Sequence, residues 1–395
     1  MIETVSVPPS ASQFSLELQQ YLSNLFGAER TQRLATALRE PGSHFFLRTN
    51  TLRITTEALV TKLEEANIQA TIPDSELDAV AIPIRPADSV PRYQHLVVAD
   101  KVASENVLLG SHLFFPGVKR TDTFERGSKV TVVNPRGHIV GSGVAQVASK
   151  QMYAKQHGIA VKITEPSYLI PSISELDAYK AGLFCSQSFP AMLVALILDP
   201  QLGETVIDFC AAPGGKTTHL AQILNNQGRI IAVDRSQRRI EQLKSENQRL
   251  GVTCVTAFVG RAKEFVAQHP GIQADRVLVD PPCTALGVRP KLYDDTTVAR
   301  IHSTASYQQG ILQSAVQALR PGGTLVYSTC TLTVEENEQN VQYLMDSLHM
   351  TLDEQFPFHG TSGLAGSPRL RQCVQRFYPD IHNLPGYFIA KLTKP

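Results

Sequence analysis

No apolar stretch of this sequence approaches the ~18 consecutive residues of a membrane-spanning helix, the longest lying around Met192–Leu198. The opening MIETVSVPPSASQF lacks a basic segment followed by an apolar one. Membrane insertion and secretion are therefore not expected, and the expected compartment is the cytoplasm. Net charge is nearly missing too: 37 Lys and Arg stand against 36 Asp and Glu. Such a balance does not announce a nucleic-acid partner for the chain as a whole. The six cysteines, at 185, 210, 254, 283, 330 and 373, include no C-x-x-C pair and no His-rich companion spacing. A disulfide framework and a metal site are both unsupported, so no metal is expected. In a reducing cytosol, a cysteine that matters is expected to be a nucleophile. Low-complexity tracts and internal repeats are absent, and 43% hydrophobic with 18% charged residues is an ordinary globular balance.

What is present is length and a change of texture along it. At about 150 residues per domain, 395 residues suggest two or three domains. Residues 13–38 recur apolar at helical spacing and predict one or two helices before Pro41-Gly42. HFFLRTNTLRI predicts a strand, TTEALVTKLEEANI a helix opened by Thr55 or Thr56, and QATI a second strand. Prolines from Pro73 to Pro91 predict a linker. From Tyr93 to Thr164, short β-rich runs alternate with Gly and Pro turns, the pattern of a small barrel or sandwich. Arg92–Tyr168 carries ten basic residues against five acidic ones, leaving 27 against 31 elsewhere. A basic module is thus set into a mildly acidic body. Beyond Pro171, apolar strands alternate with amphipathic helices, which predicts an open α/β sheet with ligands at the carboxyl ends of its strands. The expected units are 1–91, 92–168 and 169–395.

Three motifs in the last unit carry chemistry. In DFCAAPGGKTTHLA, at 208–221, a strand breaks into a Gly-rich turn that opens a helix. Gly214 and Gly215 allow close backbone approach, and the amides of the new helix can hold a polar or anionic group. Asp234, ending GRIIAVD 26 residues after Asp208, can accept hydrogen bonds from ribose hydroxyls. A nucleoside-containing cofactor fits the two. A phosphate-binding loop fits less well, because the Gly it needs six residues before Lys216 is Cys210, and no G-x-G-x-x-G is present. RVLVDPPCTALG then delivers Asp280 and Cys283 after a buried-type strand, and GTLVYSTCTLTVEENE delivers Cys330 after another. If those strands are neighbours, both thiols face one crevice. Carbon 5 of a cytosine is a poor nucleophile and needs a thiolate added at carbon 6 before it can take a methyl group. A second group must then help remove the carbon 5 proton. A lone Cys after a strand is commonly a buried small hydrophobe, but two of them beside a nucleoside-type turn point to this chemistry.

These stretches, with FFLRTNTLR, GLFCSQSFPAMLV, AVDRSQRRI, DPPCTALGVRP and the C-terminal GYFIAKLTK, resemble the Nop/Sun RNA (cytosine-5) methyltransferases across nearly the whole chain. The resemblance implies a Rossmann-like domain using S-adenosylmethionine, with Cys330 as nucleophile and Cys283 assisting product release. It implies that Cys210, Ala211, Ala212, Pro213, Gly214, Gly215, Lys216 and Asp234 bind the cofactor, with Arg239 nearby. Asp280 and Lys216 are implied to sit in the crevice near methyl donor and base. The middle segment, with VVADKVASENVLLGSHLFFPGV, looks like a PUA domain, an RNA-binding β-barrel, preceded by a small α+β region. That arrangement resembles the subgroup acting near the 3′ end of tRNA acceptor stems, so the implied partner is tRNA and the expected state a monomer. One departure is expected to weaken adenine recognition: the Asp usual after the third strand is matched by Val259-Gly260. Val259→Asp is then expected to tighten cofactor binding. The remaining alternatives are an RNA-binding protein that keeps the fold with little catalysis, and an ATPase.

Overall fold

A computed structural model describes residues 13–74 and 77–395; the stretch 1–12, which carried most of the targeting expectation, lies outside the described residues. Among the described residues no helix is long and apolar enough to cross a membrane.

The first helical stretch divides into Leu16–Phe26 and Ala28–Arg39, because Gly27 at φ +80° takes a conformation that L side chains rarely adopt. The predicted strand forms at His44–Thr49 and the predicted helix at Thr56–Glu65, where the Thr55 side chain caps the Ala58 amide. QATI contributes only an isolated bridge from Thr71 to Ala81. The second strand is instead Ala79–Pro83, inside the segment expected to be a linker. Its apolar AVAI run is buried, which outweighs the flanking prolines. The third strand, Phe184–Ser186, comes from far along the chain and pairs on the other edge of His44–Thr49. The N-terminal sheet therefore takes a strand from inside the expected unit 169–395, so the 1–91 unit is not closed on itself.

Residues 95–166 form a mixed six-stranded sheet with one helix, Lys101–Leu108, that the β-rich texture had concealed. Its two edge strands, Leu113–Phe114 and Val118–Thr121, are separated in sequence by only Phe115–Gly117. Two edges joined by three residues oblige the sheet to curl on itself, as a small barrel does. Val97, Val107, Val130, Val140 and Ile163 fill its interior.

The large sheet runs, from its edge inwards, Val255–Val259, Arg229–Asp234, Thr205–Phe209, Ala274–Val279, Leu319–Thr329 and Tyr387–Thr393. The first five are parallel and the last is antiparallel. The order of the five parallel strands in chain sequence is 3-2-1-4-5, which reverses between the first and fourth and opens a crevice at their carboxyl ends. Alternate strand residues enter opposite cores: Ile207, Val277 and Val279 face one set of helices, Val206 and Leu278 the other. The longest apolar run becomes the helix Phe189–Leu198, with nine of ten residues buried. A helix apolar on all sides is a core helix, and each large side chain it buries stabilises the fold by roughly 1.5–3 kcal/mol. Beyond the crevice, Asp294 accepts from Lys291 at 2.9 Å and from Lys101 of the barrel at 2.8 Å, so the barrel is fixed to the segment that follows Cys283.

Candidate active site

The Gly-rich turn follows directly from sheet geometry. Cys210 adopts φ +67° and Gly214 φ +113°, and these left-handed residues turn the chain from Thr205–Phe209 into the helix Gly215–Ile223. A Cβ at Gly214 would also lie 3.3 Å from Leu243, so the position suits glycine on both counts. Thr217 donates to buried Asp208 at 2.6 Å, and burial pushes the Asp208 carboxyl up to about 7. Asp234 accepts from the amides of Ala212 at 3.3 Å and Ser236 at 2.9 Å, with Arg239 3.6 Å away. Arg239 also donates to the Ala212 carbonyl, so turn, acid and arginine form one unit. The helix that opens at Gly215 has no side-chain cap, which leaves its first amides available to a ligand.

Two adjoining cavities result. One, of about 360 Å³, is lined by Asp234, Arg239, Gly260, Arg261, Tyr307 and Ile311 among others. The other, of about 370 Å³, holds Lys216, Asp280, Cys283 and Cys330. Cys210, Arg239 and Pro282 belong to both walls, so a ligand bound in the first reaches toward the thiols in the second. An acid at ribose position, an apolar wall and a second chamber with capless helix amides fit an adenosine group that carries a charged amino-acid tail. Val259 is 41% exposed and lies outside the lining, where Gly260, Arg261, Ala262 and Lys263 form the wall after the third strand. The sequence match that set Val259 at the adenine-contacting position therefore falls on a residue outside this lining. A side chain at the end of that strand points outward, and Arg261 occupies the position beside the cavity.

The two cysteines do meet, because Ala274–Val279 and Leu319–Thr329 are adjacent parallel strands. Their sulfurs are 3.2 Å apart. Cys283 is pushed well above an ordinary thiol, first by its hydrogen bond to Cys330 and then by burial. Cys330 is pushed down by accepting that bond, against burial and the Asp280 carboxylate, with help from Lys216 and Lys291. The other four thiols, Cys185, Cys210, Cys254 and Cys373, are all raised by burial. Cys330 is the one thiol of six held toward the reactive thiolate.

Lys216 pairs with Asp280 at 2.7 Å. Burial works against its charge, but Asp280 and Tyr387 outweigh burial and raise its pKa. Asp280 accepts also from Ser328 at 2.8 Å and Tyr387 at 3.4 Å. Ser328 and Tyr387 were not foreseen, although both sit in motifs that were: the antiparallel register pairs Thr329 with Phe388, and one further step sets Tyr387 opposite Cys330. Arg48 was likewise missed. Fully buried in the first strand, it donates to the Gly215 carbonyl at 2.5 Å and Thr218 at 2.9 Å, and so braces the Gly-rich turn from the N-terminal sheet.

The strand order, the acid that ends the second strand and the paired thiols fit an S-adenosylmethionine-dependent methyltransferase. Residues 195–393 match the family described as 16S rRNA methyltransferase RsmB/F, and residues 95–166 match the PUA domain. The chain belongs to this RsmB/F (Nop/Sun) family of RNA (cytosine-5) methyltransferases. It is 41% identical over 386 residues, 96% of this chain and 97% of the relative, to a Pyrococcus horikoshii protein named tRNA (cytosine(72)-C(5))-methyltransferase. Identity to the human tRNA (cytosine(72)-C(5))-methyltransferase NSUN6 is 31%, covering 78% of this chain and 72% of that one. The crystal structure of NSun6 from Pyrococcus horikoshii with SFG, an analogue of S-adenosylmethionine, superposes with a TM-score of 0.87 over 97% of this chain and 98% of that one, at 40% identity. Neither the ATPase nor a fold that lacks catalysis gains support from these matches or from a Lys216 committed to Asp280.

Proposed function

We propose that this enzyme methylates carbon 5 of a cytosine near the 3′ end of a tRNA acceptor stem, through a covalent bond between Cys330 and carbon 6 of the base. The observation that carries the reading is the thiol pair, one member held toward thiolate and the other toward thiol at 3.2 Å. Cys330 adds to carbon 6 and moves its charge into the ring, which makes carbon 5 nucleophilic. S-adenosylmethionine bound by the 210–216 turn, Asp234 and Arg239 would supply the methyl group. Asp280, salt-bridged to Lys216, offers an acceptor to the amino edge of the base. Once Cys330 is bonded to carbon, Cys283 no longer serves an anion. It then gives its own proton to water, and its thiolate takes the carbon 5 proton as the carbon–sulfur bond breaks and Cys330 leaves as a thiolate.

The tRNA assignment rests on the names of the relatives and on the basic surplus of the PUA-type unit. We take residues 1–91 and 92–168 as units that present RNA to the catalytic unit 169–395, with phosphate contacts from Lys and Arg setting its register. Incubation of the purified protein with S-adenosylmethionine and tRNA transcripts, read by bisulfite sequencing, tests the reading. One new 5-methylcytosine at the acceptor end is expected. Methylation confined to ribosomal RNA fragments would overturn the substrate.

A further inference from the structure

Glu335, Glu336, Asn337 and Glu338 follow the Cys330 loop; Asn337 braces the loop itself, and the three acids tie it to different parts of the molecule. Glu335 accepts from Tyr21 of the first helix, Asn337 donates to the Thr331 carbonyl, and Glu338 pairs with buried Arg376. Glu336 turns toward the other thiol. Its carboxylate has no exposed surface and accepts from the Thr284 amide at 2.9 Å, the Thr284 hydroxyl, Thr333 at 3.0 Å and Gln308 at 3.1 Å. All four donors are neutral. They match the four lone-pair positions of an ionised carboxylate, which an amide could not supply. Burial pushes the Glu336 pKa up, and these donors pull it back.

The pattern closes around Cys283. Gln308, held by Glu336, also donates to the Pro282 carbonyl at 3.0 Å, while Glu336 itself holds the Thr284 amide. The residues on both sides of Cys283 are thus fixed to one carboxylate. The residues that follow the two cysteines also touch, Thr284 and Thr331 hydroxyls standing 2.7 Å apart. We propose that Glu336 is a positioning residue, which clamps the backbone around Cys283 and so sets that thiol against Cys330. The inference rests on the reading that Cys283 resolves the covalent intermediate.

Glu336→Gln keeps volume but presents an amide N–H₂ to donors that cannot all reverse, above all the Thr284 N–H. In the full-length protein with S-adenosylmethionine and a tRNA transcript, Cys330 should still attack. Release should slow, so kcat is expected to fall about tenfold with KM falling alongside it, and a protein–RNA adduct should accumulate on denaturing gels. Binding of S-adenosylhomocysteine should stay within about twofold, because the cofactor cavity makes no use of Glu336. Cys283→Ala is run in parallel. An adduct in Cys283→Ala but none in Glu336→Gln, with turnover unchanged, overturns the positioning role. Absence of an adduct from Cys283→Ala overturns the underlying reading instead. If Glu336→Gln does not fold, Thr284→Val removes the hydroxyl link while keeping the amide, and a smaller accumulation is expected; wild-type release in that variant overturns the proposal.

Discussion

The crevice and the barrel use charge in opposite ways. In the crevice Lys216 and Asp280 lie 2.7 Å apart, two sulfurs lie 3.2 Å apart, and most of this chemistry is shielded from water. In the barrel Lys119, Arg120, Arg126, Lys150 and Lys155 stand exposed. At short range and low dielectric, one neighbour decides whether a thiol is ionised. Exposed cations are screened over about 8 Å at physiological salt and act as a sum. Single substitutions should therefore be drastic in the crevice and graded on the barrel.

The sharpest contrast is expected from Cys330→Ala, which should lower methyl transfer by about three orders of magnitude or more. Calorimetry should show near-normal S-adenosylhomocysteine binding, since a thiol-to-methyl change is small and leaves the 210–216 turn, Asp234 and Arg239 in place. Asp280→Asn follows, with an expected loss of about a hundredfold in kcat/KM, because it removes the negative charge that pairs with Lys216 and leaves one oxygen where Lys216 and Ser328 now use two. A change confined to KM would show that Asp280 only binds. Cys283→Ala should alter the titration of its neighbour. Losing the hydrogen bond that favours the Cys330 thiolate must raise the Cys330 pKa, so the midpoint of its alkylation by iodoacetamide should move up by about one pH unit or more. A midpoint that stays or falls would mean that the lysines, not Cys283, hold the thiolate.

On the barrel, Lys119→Glu with Arg120→Glu should weaken RNA binding about tenfold at low salt and flatten its salt dependence by roughly two phosphate contacts. Cofactor affinity should not move. A loss of catalysis as deep as that of Asp280→Asn, with RNA binding intact, would erase the distinction between the two regions.

Local signals were legible in the sequence, and long-range ones were not. The parallel strands, the Gly-rich turn, Asp234, Asp280 and both cysteines announce themselves through patterns a few residues wide. Arg48, Ser328, Glu336 and Tyr387 reach the site only through strand register and loop packing between segments up to 167 residues apart. The strand Ala79–Pro83 was hidden because prolines on either side read as a linker, while its pairing with His44–Thr49 depends on burial that no local pattern shows. The cavity wall after the third strand was hidden for a related reason. A one-dimensional match placed Val259 there, whereas the end of the strand turns it outward and brings Arg261 to the cavity.

The division of labour between the thiols is the centre of the account, and trapping the intermediate tests it most directly. Cys283→Ala, Cys330→Ala and the double variant would each be incubated with tRNA and S-adenosylmethionine, then run under denaturing conditions. A covalent protein–RNA band in Cys283→Ala, absent from Cys330→Ala and from the double variant, is the predicted result. A band trapped by Cys330→Ala would exchange the two roles. No band in either single variant, with methylation intact in both, would contradict thiol catalysis altogether.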